Sequence, residues 1–328
     1  MNSLYFLLFI ASCIALSYSG TWIVKSLVKI ARFLKWKSFV ISSVLMGFST
    51  SLPETFIGIT SALHNESELI LGVVVGSNII ALTLIVGIGA ILKNGLTLDK
   101  KVVRKSTIYA ILYSLLPFLL IIDGSISRAD GIILLTAFVL YFSQLIAQEK
   151  RFTKIFNNRK IDWKNFKLFL SDLLVFNVGL VFLLLSSKGI VFSTLKIGEL
   201  FNVPIIIISV FLIAIGTSLP EITFGIKSME MKRKNMIIGN AMGSIVTNST
   251  LVLGITSIIS PITINDFGSY ITGILFVLIT CLFFLIFSRT DHKITKKEAF
   301  LLILIYIVFL LIEVNFLDIG HNLSFNLQ

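Results

Sequence analysis

The sequence predicts an all-α polytopic membrane protein whose ten transmembrane helices form two inverted five-helix repeats. Three observations carry that expectation. The 328 residues are 56% hydrophobic and 14% charged, with a mean hydropathy of +0.97; soluble domains carry about 25% charged residues. Ten apolar runs approach the roughly 20 residues that a bilayer crossing needs. The pentapeptide TSLPE occurs at 50–54 and again at 217–221, each time inside such a run.

The runs fall near 4–24, 38–63, 69–92, 106–122, 130–148, 168–186, 203–228, 236–259, 269–288 and 298–316. Residues 4–19 could be a signal peptide, and IASC at 10–13 resembles a lipoprotein cleavage box. No Lys or Arg precedes that run, as a signal peptide requires, so it is expected to be a retained first helix.

Basic residues then alternate along the chain. Lys25, Lys29, Arg32, Lys35 and Lys37 follow the first run; Lys93, Lys100, Lys101, Arg104 and Lys105 follow the third. Lys150, Arg151, Lys154, Arg159, Lys160, Lys164 and Lys167 follow the fifth. Lys227, Lys232, Arg233 and Lys234 follow the seventh, and Arg289, Lys293, Lys296 and Lys297 the ninth. Only Arg128, Lys188 and Lys196 fall in the other connections. Positive connections stay on the cytoplasmic side, so both termini are expected outside a cell (plasma) membrane, taken as prokaryotic. The net charge of +11 thereby reads as a topology signal rather than as a nucleic-acid footprint.

Cys13 and Cys281 lie in apolar runs as packing residues, with neither disulfide nor metal spacing. His64, His292 and His321 fall in polar connections, which leaves no imidazole at membrane depth for metal or hydrolytic chemistry.

The offset of 167 between the TSLPE copies aligns much more. Gly58, Ile59 and Ser61 match Gly225, Ile226 and Ser228; Gly72 and the pair Gly76–Ser77 match Gly239 and Gly243–Ser244. Leu84 and Gly87–Ile88 match Leu251 and Gly254–Ile255. Two separated polar motifs in one register are the mark of an internal repeat. Each half holds five spans, an odd number, so the second half enters the membrane from the opposite side, as in secondary transporters. The expected organisation is a first repeat at 1–148 (core motif 47–91), a cytoplasmic linker at 149–167 and a second repeat at 168–328 (core motif 214–258).

Pro53 and Pro220 lack an N–H and clash with the preceding turn, so spans 2 and 7 should break there. The freed carbonyls are tolerated at membrane depth only where they line a cavity or bind something. Glu54 and Glu221 follow the two breaks directly. A carboxylate in a membrane helix costs about 2.5–3.5 kcal/mol or more, and two at repeat-related positions are not packing residues. Spans 3 and 8 add Ser77, Asn78, Ser244, Thr247 and Asn248, with Gly72, Gly76, Gly239 and Gly243 as close-packing positions. The expected site has oxygen ligands only, which suits hard cations such as Ca2+, Na+, Mg2+ or Mn2+. Asp172 could face the basic linker or the helix N-terminus, and Glu313 could snorkel to the outer surface; both are weaker candidates.

GFSTSLPE with GVVVGSNII, and AIGTSLPE with GNAMGSIVTN, resemble the two α-repeats of the cation/Ca2+ exchanger superfamily, and within it the prokaryotic sodium/calcium exchanger family. The proton/calcium branch usually carries GNA-x-E where this chain has SLPE. The resemblance implies a core of spans 2, 3, 7 and 8, against which spans 1 and 6 slide. It implies four midplane cation sites, one for Ca2+ and the others for Na+. By motif position Glu54 and Glu221 bind Ca2+, with backbone carbonyls of Thr50 and Thr217. Ser51, Ser77, Ser218 and Ser244, with carbonyls of Gly47 and Ala214, complete flanking Na+ sites, and Asn248 belongs to the central one. This chain departs where the family typically has Asn (here Ala81) and Asp (here Asn248), which weakens the central site.

The expected function is secondary active antiport of Ca2+ against Na+ by alternating access, with the ions as substrates and no cofactor. The alternative, motivated by Ala81, is a proton-coupled or broader divalent-cation antiporter. An intramembrane protease would need a catalytic partner at membrane depth, and a channel would conduct without a counter-ion gradient. The implied partners are Ca2+, Na+ and the lipid bilayer, with no nucleic acid.

Overall fold

Helix dominates because nearly every stretch is an apolar run without stop signals, and a backbone in lipid must satisfy its own hydrogen bonds. The computed structural model describes all residues except 1, 34–47, 49, 93, 98–99, 151–162, 202, 204, 220, 223–233, 265–266, 290–292 and 326–328. In chain order the helices are α1 (Asn2–Phe33), α2 (Leu52–Leu63), α3 (Glu68–Leu92), α4 (Lys100–Leu120) and α5 (Arg128–Lys150). Then follow α6 (Trp163–Phe201), α7 (205–219), α8 (234–259), α9 (Phe267–Arg289) and α10 (Lys296–Phe325). Among the described residues five stretches are long and apolar enough to cross a bilayer by themselves: Leu4–Ile23, Glu68–Leu92, Lys167–Phe201, Ile237–Ile259 and Tyr270–Arg289. Thr107–Asp123 and Ser209–Leu219 are shorter apolar helices.

Several helices overrun the expected spans. α6 has 39 residues, about 58 Å at 1.5 Å per residue, against a hydrocarbon layer of about 30 Å. Lys188 and Lys196 were expected in the connection after span 6 and lie within this helix instead. Apolar residues continue on both sides of them, and no proline interrupts the chain before Pro204. α1 likewise carries Lys25, Lys29 and Arg32, and His321 lies in α10 rather than in a polar connection. Asp172 pairs with Lys29 of α1 at 3.0 Å, and most of the basic linker, 151–162, lies outside the described residues. Glu313 is 1% exposed, buried in the bundle rather than snorkelling.

α1 and α6 pack chiefly on each other. Gly189 of α6 leaves room for Ser12 of α1, and Trp22 meets Phe182 edge to face at 5.9 Å. Their outer faces stay exposed and apolar, with Leu7, Ile10 and Ile14 on α1 and Leu174, Val181 and Leu185 on α6. α3 is the most enclosed helix, with Leu69–Leu82 buried throughout. It lies against the Ser209–Ile213 stretch of α7 and against α9.

Two minimal ladders tie the connections together. Leu96–Thr97 pairs antiparallel with Lys293–Ile294, and Ser125–Ile126 with Ile262–Thr263. The first joins the α3–α4 connection to the α9–α10 connection; the second joins α4–α5 to α8–α9. Both α3 and α8 widen to π-helix, at Ala81–Ile85 and Thr247–Val252. Thr83 donates to the Ile79 carbonyl at 2.5 Å and Thr250 to the Val246 carbonyl at 2.6 Å. These two hydroxyls stand 167 residues apart and serve carbonyls of the loosened turns. Short π segments inside α-helices often mark functional sites.

Candidate cation site

Phe48 and Thr50 are helical, Ser51 turns away with φ −89° and ψ 3°, and α2 restarts at Leu52 with Pro53 in its first turn. This is the expected break. Proline suits a first helical turn, where an N–H has no partner anyway. The Ser51 carbonyl accepts from both the amide (3.0 Å) and the hydroxyl (2.8 Å) of Thr55. Glu54 follows in the first turn and is 0% exposed. In the second copy α7 runs to Leu219, and Glu221 and Ile222 are helical as well. Pro220, Gly47 and Ser49 lie outside the described residues. Ala214 is buried, and its carbonyl accepts from Thr217 Oγ1 at 3.2 Å.

Both glutamates are enclosed in the bundle, near enough for the charge of Glu221 to act on Glu54. Each faces hydroxyls from both halves. Ser77 and Thr217 surround Glu54, while Ser244, Ser218 and Thr50 surround Glu221. Ser244 donates to Glu221 Oε1 at 2.6 Å and contacts Thr50 Oγ1 at 2.9 Å. The counterpart contact, Ser77 to Thr217, is longer at 3.4 Å.

Thr50, Ser51, Glu54, Ser77, Thr217, Ser218, Glu221, Ser244 and Asn248 are all buried. Of the predicted residues only Gly47 cannot be located. Five buried oxygens of this set have no hydrogen-bond partner of normal geometry among the described residues: both of Glu54, Oε2 of Glu221, Oγ of Ser218 and Oδ1 of Asn248. An unpaired buried polar atom costs about 1–3 kcal/mol, and more when charged. A hard cation with several oxygen ligands satisfies such a set. Among the described residues there is no cluster of three or more His, Cys, Asp or Glu, so hydroxyls, carbonyls and amides must complete any coordination shell.

Asn78 was expected to add an oxygen at membrane depth without a stated partner, and Asn240 was not singled out. Asn78 donates to Ser249 Oγ at 2.8 Å and accepts from Asn248 Nδ2 at 3.5 Å, so an amide on α3 meets Asn248 one turn before Ala81. Asn240 reaches Thr50 through its Oδ1 at 3.4 Å. The legible signal was an amide inside an apolar run; for Asn240 there was also the mismatch with Val73, its counterpart at the offset of 167.

Comparison with known proteins gives a consistent pattern. The profile of the family described as "Sodium/calcium exchanger protein" matches residues 4–146 and 171–315. The sodium/calcium exchanger MaX1 of Methanosarcina acetivorans is 25% identical, with 95% of this chain and 99% of that protein aligned. The inner membrane protein YrbG of Escherichia coli is 25% identical over 77% of this chain and 79% of its own length. Among solved structures, the sodium-calcium exchanger NCX_Mj soaked with Na+ and Sr2+ superposes with a TM-score of 0.67 at 25% identity, covering 94% of this chain and 98% of that one.

Proposed function

The chain belongs to the sodium/calcium exchanger protein family, and on that premise we propose how its own residues perform exchange. It is a membrane protein that exchanges Ca2+ for Na+, a secondary active antiporter rather than an enzyme. Both ions are substrates. Glu54 and Glu221 form the Ca2+ clamp, assisted by the backbone carbonyls of Thr50 and Thr217. Ser51, Ser77, Ser218 and Ser244, with the carbonyls of Gly47 and Ala214, hold Na+ on either side, and the amide of Asn248 lies at the centre. The observation that carries this reading is the set of five unpaired buried oxygens around two enclosed carboxylates.

Two carboxylates balance one divalent ion. Ca2+ and Na+ compete for them, so the two occupancies exclude each other. Only a loaded site loses enough charge to be carried through the low-dielectric midplane, which couples the two fluxes. Thr50, Ser244 and Glu221 already touch, which limits the rearrangement that binding requires on that half. α1 and α6, joined to each other more than to the rest, slide together over the enclosed helices to alternate access.

The finer architecture is ten spans in two inverted repeats, at 1–148 and 168–328, with a cytoplasmic linker and both termini outside a plasma membrane. Three observations support it. The family profile matches twice, with starts 167 residues apart. The π-helical turns of α3 and α8 overlap at that same offset and end in register, at Ile85 and Val252. Each ladder joins two connections that charge assigns to one side: the basic α3–α4 and α9–α10 connections in one, the charge-poor α4–α5 and α8–α9 connections in the other.

Competition is directly measurable. Ca2+ binding to purified protein, titrated at increasing Na+, should show a half-saturating Ca2+ concentration that climbs with Na+ and does not respond to equal concentrations of choline. Ca2+ binding indifferent to Na+ contradicts the shared clamp.

A further inference from the structure

The internal repeat predicts two equal halves of the site, and the structure departs from that equality. Ser244 lies 2.9 Å from Thr50, and its hydroxyl donates to Glu221 at 2.6 Å. Since its single proton goes to the carboxylate, Ser244 accepts in its contact with Thr50. The result is a directed chain from Thr50 through Ser244 to Glu221. In the other half Ser77 and Thr217 stand 3.4 Å apart, at the weak end of hydrogen-bond geometry, and they surround Glu54 without giving either of its oxygens a hydrogen bond of normal geometry.

Asn240 is what the tighter half has and the looser half lacks. It is 1% exposed on α8, one turn before Ser244, and its Oδ1 lies 3.4 Å from Thr50 Oγ1. The counterpart position on α3 is Val73, fully buried and without a polar atom. A carboxamide in such a place is costly unless its hydrogen bonds are used. With the one proton of Thr50 given to Ser244, Asn240 holds the same hydroxyl by turning its NH2 toward Thr50 Oγ1, since the oxygen and nitrogen of a carboxamide exchange by a flip of the side chain.

We propose that Asn240 is a positioning residue that holds Thr50 against Ser244, and so gives the Glu221 half of the site a preset geometry that the Glu54 half does not have. The proposal rests on the antiport reading above. Na+ is the ion most sensitive to it. Ca2+ is held chiefly by two full charges, whereas a singly charged ion among hydroxyls and carbonyls depends on how well those dipoles are pre-aligned. Asn240 therefore acts on Na+ dependence through Thr50 and Ser244 and touches no ion itself.

The test uses the isosteric pair N240V and N240T in the full-length exchanger reconstituted in liposomes. Val is the residue the first repeat carries, and Thr differs from it by one oxygen able to meet Thr50. N240V should raise the half-saturating Na+ concentration several-fold, change that for Ca2+ less than twofold, and leave the maximal rate within about twofold. N240T should recover most of the Na+ dependence. Equal behaviour of N240V and N240T, or a parallel loss of Na+ and Ca2+ affinity, overturns the proposal and leaves Asn240 a packing residue. If N240V yields no folded protein, N240A replaces it against N240T with the same two outcomes. Wild-type protein in the same assay separates the premises. A wild type without Na+-driven Ca2+ flux contradicts the antiport reading, whereas a normal wild type with indistinguishable variants contradicts only the role of Asn240.

Discussion

E54Q and E221Q should each lower Na+-dependent Ca2+ flux by about a hundredfold or more. Gln keeps the size and one oxygen of Glu, removes the charge and puts an NH2 donor in place of the second oxygen. Breaking a buried charge pairing costs about 3–5 kcal/mol, and each 1.36 kcal/mol is a factor of ten. Both side chains are enclosed, at 0% and 1% exposure, so solvent cannot screen the loss. The loss should be unequal in one respect. Glu221 already has Ser244 as a donor at 2.6 Å, a contact that the carboxamide oxygen of E221Q can keep, whereas both Glu54 oxygens are unpaired among the described residues. Ca2+ uptake at wild-type rates in either variant contradicts the clamp assignment.

G76A should lose both stability and flux. A methyl on Gly76 would lie 2.5 Å from the Val210 carbonyl and 2.6 Å from the Ala214 side chain. The first neighbour is backbone and cannot rotate away. Overpacking of this kind costs about 1–3 kcal/mol, and relief requires α3 and α7 to separate. That separation displaces Ala214, whose carbonyl is assigned to a Na+ site, and stretches the contact of Ser77 with Thr217, already 3.4 Å. Gly179 gives the comparison: an added methyl there meets Ile23 Cγ1 at 2.7 Å, a side-chain carbon rather than the backbone of the facing helix. G179A should therefore lower the melting temperature less than G76A in the same detergent. Equal melting temperatures for G76A and wild type would show that the helices yield without cost.

Much of this site was legible because its chemistry is rare where it occurs. A Pro–Glu pair inside an apolar run, repeated at a fixed offset, has few physical explanations. The break at Ser51 and the burial of Glu54 and Glu221 agree with it. Helix ends were harder to read. Lys188 and Lys196 resemble loop residues by charge, yet a long helix carries lysines easily when their stems run along its surface. The two-residue ladders had no signal at all, since pairs such as Leu96–Thr97 are too short for alternation to register. The π-helical turns were equally hidden: Ala81 and Thr247 fit an ordinary α-helix locally, and the widening becomes evident only in the backbone. Asn78 and Asn240 were visible as letters and not as contacts. Their roles depend on which neighbours face them across the bundle, which spacing along one helix does not specify. The vacancy at Ala81 consequently looked like a plain loss, whereas Asn78 brings an amide to Asn248 from one turn away.

The most direct test of the central claim is Ca2+ uptake by liposomes containing the purified protein, with a Na+ gradient, a proton gradient or neither imposed. The account predicts rapid uptake when the internal Na+ concentration exceeds the external one, collapse of that uptake when the Na+ gradient is dissipated, and no stimulation by protons alone. Uptake driven by a proton gradient without Na+, or uptake that persists with no counter-ion gradient, would contradict it.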